Sequence, residues 1–254
     1  LEKKKPLYKR WWFWVITIFL IAAIGSGLGD DEQKQKASDN EQSAAENDDN
    51  NAAENEEAAS ETTTAENEES EEEQIELTPQ QQMIQKIAGL IDQGKAFDTG
   101  SYVQGDIPKG EYAFIPFEGS GQYYKEEDSA GNIIDNENFD SFGYVYVHGV
   151  GNIETGGVLV SPKDFGSMGV KSAKELYEIL NNKQNYKDSG WYKIGVDLPA
   201  GKYVIESRGE GYVAIMSGPV GNNEIIDNEI FNGRYSVNVS NGQYLKISNA
   251  SIVQ

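Results

Sequence analysis

Cysteine is absent from the 254 residues, and histidine occurs once, as His148. Without thiols there is no disulfide, no thiolate metal site, no cysteine nucleophile and no lipid attachment through an N-terminal cysteine. One imidazole cannot supply the several His or Cys ligands that zinc usually takes, and no serine motif accompanies it as a nucleophile would require. Basic residues are scarce as well: 21 Lys and Arg stand against 42 Asp and Glu, for a formal net charge of −21. Phosphate recognition needs a clustered cationic surface, so nucleic acid is not an expected partner. No P-loop or dinucleotide fingerprint occurs either, since the glycine-rich run from Gly149 to Gly157 does not lead into a helix.

The negative charge is unevenly spread. Residues 1–29 carry +4, residues 30–76 carry −17 and the remaining 178 residues carry −8. Residues 1–10 read as a basic cytoplasmic tail. Residues 11–28 contain no charge and would rise about 27 Å as a helix, close to the thickness of a bilayer core. The basic cluster before them and Trp11, Trp12 and Trp14 at the boundary predict a single-pass anchor with its N-terminus in the cytoplasm. A cleaved signal peptide is the competing reading, because Ala22 to Gly27 offers small residues. Residues 29–76, acidic and without aromatics, read as a disordered spacer of roughly 40 Å mean span, or as an acidic tract for cations or a basic partner.

Two stretches of the remaining chain occur twice. Asp106-Ile-Pro-Lys-Gly-Glu-Tyr112 returns as Asp197-Leu-Pro-Ala-Gly-Lys-Tyr203, and Ile133-Ile-Asp-Asn-Glu-Asn-Phe139 returns as Ile225-Ile-Asp-Asn-Glu-Ile-Phe231. Each first stretch reads as a tight turn between two strands, with the aspartate bonding backbone amides. Each second stretch reads as the end of a strand, a polar turn and re-entry into the core. A helix signal precedes each copy. Thr78, Pro79 and Gln81 open the first, with Ile84, Ile87, Ala88 and Ile91 on one face; Ser172 and Glu175 open the second. The expected fold is mainly β with short helices: two tandem antiparallel β-sandwich or open-barrel modules of five or six short strands, at residues 77–161 and 162–254, each preceded by a helix.

Candidate chemistry is thin. Asp135, Glu137, Asp227 and Glu229 form the only repeated carboxylate cluster. They suit a polar turn, a calcium site without the ligand spacing of an EF-hand, or a glycosidase-like acid pair, and duplication favours the turn. Trp191, Tyr192, Tyr212, Tyr123 and Tyr124 are candidates for stacking on a sugar or lining a peptide groove, or else for the core. Trp191 stands where the first copy has Ser101, which singles it out as a residue freed from common structural duty. His148 stands where the second copy has Ser240 and reads as a packing or surface residue.

The run Lys3-Lys-Lys-Pro-Leu-Tyr-Lys-Arg-Trp-Trp-Phe-Trp-Val-Ile16 resembles the anchors of membrane-tethered extracellular proteins of low-GC Gram-positive bacteria. Tyr192-x-x-Gly195-x-Asp-Leu-Pro-Ala-Gly-x-Tyr203, continuing to Gly242-Gln-Tyr-Leu-Lys-Ile-Ser248, is similar to a β-repeat of uncharacterised surface proteins in that group. The first copy departs from it, lacking one residue before Asp106 and having Gly151-Asn-Ile153 for the Gly-Gln-Tyr-Leu run. The resemblance implies location and fold, and no activity. The expectation is a membrane-tethered extracellular protein without cofactor or catalysis, whose modules bind a cell-wall glycan or an envelope protein. The alternative is a structural or regulatory partner of another envelope membrane protein.

Overall fold

The computed structural model describes residues 76–118 and 120–254. The expected tail, the anchor and the linker up to residue 75 lie outside them. Among the described residues no helix is long and apolar enough to cross a membrane.

The protein is mainly β with short helices. Helix α1 (Pro79–Asp92) starts at a reciprocal capping box between Thr78 and Gln81, with proline in its first turn. Its stripe buries Met83, Ile87 and Leu90. Strands β1 (Ala96–Phe97), β2 (Gly100–Tyr102), β3 (Gly110–Ile115), β4 (Tyr123–Glu127), β5 (Ile133–Asn138), β6 (Gly143–Val147), β7 (Ile153–Thr155) and β8 (Val158–Val160) follow. A 3-10 turn leads into the single-turn α2 (Phe165–Met168) and then α3 (Ala173–Leu180), capped by Ser172. The second copy holds only β9 (Gly190–Lys193), β10 (Gly201–Met216), β11 (Ile225–Val239) and β12 (Tyr244–Ile252).

The described strands form three antiparallel sheets, ordered β1-β8-β3-β6, β2-β7-β4-β5 and β11-β10-β12-β9. All three share one plan. Numbering the strands of a copy one to four along the chain, the spatial order is three, two, four, one. In the second copy β10 and β11 are long, 16 and 15 residues, and β10 slips register between Glu206 and Glu210. In the first copy the same strands break in two, so β3 and β4 together match β10, and β5 and β6 match β11. The expectation of five or six short strands per copy is therefore corrected: among the described residues the first copy has eight short strands and the second has four.

Both repeated motifs need correction too. Strands β2 and β3 lie in different sheets and do not pair, and β9 and β10 do not pair because β12 lies between them. The Asp-[Ile/Leu]-Pro-x-Gly-x-Tyr element is thus a crossover rather than a hairpin turn. Asp106 accepts from the Val103 amide at 3.1 Å, and Asp197 from the Lys193 amide at 2.7 Å. The preceding glycines, Gly105 and Gly195, both sit at φ +91°, where a side chain would be strained. The closing tyrosines donate to the carbonyl four residues back, Tyr112 to Pro108 at 2.8 Å and Tyr203 to Pro199 at 2.6 Å. Tyr102 and Tyr192 do the same to Asp98 and Asp188. Each crossover is pinned at both ends by a phenol, which explains the recurring residues without invoking a ligand.

The Ile-Ile-Asp-Asn-Glu run, expected as a turn, is strand in both copies. Asp135 lies opposite Glu126 and Asp227 opposite Ile215, each with a register slip next to Ile134 or Ile226. It forms the outer strand of its sheet, where polar residues discourage unwanted pairing.

The buried apolar residues of both copies form one contiguous cluster, within a compact unit that includes Leu77–Gln254. Helix α3 packs against β3 of the first copy, and α1 packs against α3.

Candidate functional site

Strand pairing fixes which residues of the two copies correspond. Lys125 lies between Asn136 and Glu154 as Ala214 lies between Asn228 and Lys246, and Ser101 faces Glu154 as Trp191 faces Lys246. One outward sheet face therefore carries Trp191, Ala214, Met216, Tyr244 and Lys246 in the second copy. The first copy has Ser101, Lys125, Glu127, Asn152 and Glu154 in their places.

The second-copy face is covered by the first copy. The Trp191 ring meets Phe139 edge-on at 6.2 Å, and its amide donates to the Phe142 carbonyl at 3.1 Å. Lys246 lies 5.2 Å above the indole and pairs with Glu137 at 2.5 Å. Tyr244 packs on Tyr144, while Lys193 pairs with Glu111 at 2.6 Å. The outer edge of β6 is taken as well: the Val220 amide donates to Tyr144, and the Tyr146 amide donates to Val220. Asp135 accepts from the Gly221 amide at 2.6 Å. At Gly190 the copies approach so closely that a Cβ would stand 2.6 Å from the Ser141 hydroxyl.

The corresponding face of the first copy is open. It forms a cleft of about 320 Å³ lined by Ser101, Tyr102, Val103, Lys125, Glu127, Asn152, Ile153 and Glu154. Lys125 stands on its β4 side, 2.9 Å from Glu127 and 3.5 Å from Glu154. Trp191, Met216 and Tyr244 on the covered face are replaced by Ser101, Glu127 and Asn152 on the open one, while Lys193 gives way to an exposed Val103.

Two carboxylates are held inside the protein. Asp197 keeps slight solvent contact as a residue, but its carboxylate accepts from the amides of Lys174 and Lys193 and from the Tyr144 hydroxyl. Burial pushes its pKa upward, and these donors offset only part of that effect. Glu126, fully buried, accepts from the amides of His148 and Gly149 at 2.8 and 3.1 Å, with His148 Nδ1 3.0 Å from its second oxygen. The lone histidine is thus a partner of a buried carboxylate. His148→Ala is expected to cost about 1–2 kcal/mol, read from urea unfolding, because the buried Glu126 carboxylate loses its side-chain partner. Both carboxylates meet backbone amides of the fold and face no cleft.

The structure brings Trp191 and Tyr212 together around Lys246, 5.2 and 5.9 Å from their rings, and leaves Tyr123 and Tyr124 on the first copy. Trp191, Tyr192 and Tyr124 are buried, which corrects their assignment as ligand contacts; Tyr123 and Tyr212 are half-buried on different copies. Trp191 differs from Ser101 because it wedges the copies together, so it has more structural duty rather than less. Asp135 and Glu137 bind groups of the second copy, whereas Asp227 and Glu229 are exposed on β11. Among the described residues no group of three His, Cys, Asp or Glu side chains is arranged to hold a metal ion. The cleft residues were overlooked, although alternating polar positions at Lys125 and Glu127 and at Asn152 and Glu154 mark an exposed sheet face.

No protein-family model matches the chain, and no curated protein matches it significantly.

Proposed function

We propose that the chain is a single-pass, membrane-tethered extracellular protein whose residues 77–254 act as a non-catalytic binding or adhesion unit at the cell envelope. The observation that carries this reading is the open first-copy cleft, whose counterpart in the second copy is a protein-binding face in use. The internal contact supplies a working example of what this sheet surface does when it is filled. Its open version presents an ammonium, two carboxylates, a hydroxyl and an amide, groups suited to the polar surface of a glycan or an envelope protein. The uncharged run at 11–28, after five basic residues, supports the tether.

Ser101→Trp supplies the test, since it places in the cleft the side chain that occupies the second copy's face. Vesicles carrying the full chain are expected to bind purified cell-wall polymers or envelope proteins, with affinity falling about tenfold or more in the variant. Equal binding by the variant, or no binding by either chain, refutes the reading.

A further inference from the structure

The chain joins its two copies through a strand and a face, and it carries each of these a second time without a partner among the described residues. The unused strand is β11. Asp227 and Glu229 occupy the positions of Asp135 and Glu137, yet both are exposed. Ile225, Ile226 and Ile230 beside them are 57%, 53% and 60% exposed. The unused face is the first-copy cleft. We propose that β11 of one chain docks into the first-copy cleft of a second copy of this chain, which rests on reading the cleft as a binding surface.

Charge placement favours this occupant. In the internal contact Glu137 reaches Lys246. At the open face that lysine is replaced by Glu154, and the ammonium has moved to its cross-strand neighbour Lys125. A docked Glu229 therefore finds its cation one strand over. Arg234 takes the place of Phe142, the residue whose carbonyl meets Trp191. Ser101, in the place of Trp191, lies opposite Glu154. The Phe142 ring itself packs on Tyr192, Tyr177 and Tyr186, so by this correspondence only the backbone of Arg234 comes beside Ser101, and the Glu229–Lys125 pair carries the charge match.

The contact differs from the internal one in strength and symmetry. Ser101 and Asn152 replace Trp191 and Tyr244, so it lacks the aromatic wedge and leans on screened charges. Strand and face are different surfaces, which makes the contact heterologous. Repetition leads head to tail along a line unless the rotation closes a ring.

Sedimentation of the full chain in detergent micelles tests the proposal. The chain is expected to self-associate with rising concentration, and less so at about 0.5 M salt. Lys125→Glu and Glu229→Lys should each weaken association about tenfold or more, with the thermal melt of Glu229→Lys unchanged because that residue is exposed and makes no ion pair among the described residues. Mixing the two variants should restore it, since each supplies the charge the other needs. A chain that stays monomeric, or association indifferent to both swaps, overturns the proposal. Should the monomer still bind envelope components in a manner blocked by Ser101→Trp, self-docking fails while the binding reading stands; loss of both results overturns both.

Discussion

Asp197→Ala is expected to lower the unfolding free energy by about 3 kcal/mol, while Asp106→Ala changes it by about 0.5 kcal/mol or less. The two residues hold the same place in the repeated motif. Asp106 is exposed and accepts one bond from Val103. Asp197 joins the second-copy crossover, the first turn of α3 and Tyr144 of the first copy, so its loss orphans two amides and a hydroxyl. For a unit of this size about 3 kcal/mol corresponds to a melting-temperature drop of about 6–12 °C. A pH dependence follows from the raised pKa of Asp197. The native protein holds this proton more tightly than the unfolded chain. The resulting stability is complete below the unfolded value of about 3.8 and is lost as pH rises through the higher folded value. Melting temperatures of the native sequence should therefore fall from acid toward neutral pH relative to those of Asp197→Asn.

Trp191→Ala is the other large effect, expected to cost about 3–5 kcal/mol in urea unfolding. The indole fills the seam between copies, against Phe139 and beneath Lys246. Its Nε1 is buried without a hydrogen-bond partner, so Trp191→Phe gives up no bond and should cost only about 1 kcal/mol. Since both copies feed one core, the alanine variant should unfold in a single transition at lower denaturant. Two separated transitions would show that the seam does not couple the copies.

Helix starts were legible because they are local: Thr78 with Gln81, and Ser172 with Glu175, lie three residues apart, as their hydrogen bonds require. Duplication was legible because the crossover and the outer strand reuse the same residues. Pairing was not. The Asp-Leu-Pro-Ala-Gly element has the residues of a hairpin turn, and only strand β12, arriving some 40 residues later, separates the strands it joins. The polar Ile-Ile-Asp-Asn-Glu run looked like a turn because this edge strand is exposed on both faces in the second copy and half-buries carboxylates rather than apolar residues in the first. Trp191 against Ser101 was visible as a difference, but its meaning depended on Phe139 and Glu137, some 50 residues earlier. A short aromatic-to-polar change can mark a ligand site or a buried seam, and one strand's pattern does not tell them apart.

Helix α1 also determines how the molecule would carry mechanical load. Gln80, buried at its start, donates to the Leu180 carbonyl and accepts from Asn182, and Lys86 donates to the Met168 carbonyl. These bonds bypass the first-copy strands and fasten the beginning of the unit to the helices that open the second copy. Tension arriving at Leu77 would pass through α1 into α3 and the seam, leaving the strands of the first copy unstretched until that clasp gives way. The clasp, rather than any of the three sheets, would then set the force at which the unit begins to yield.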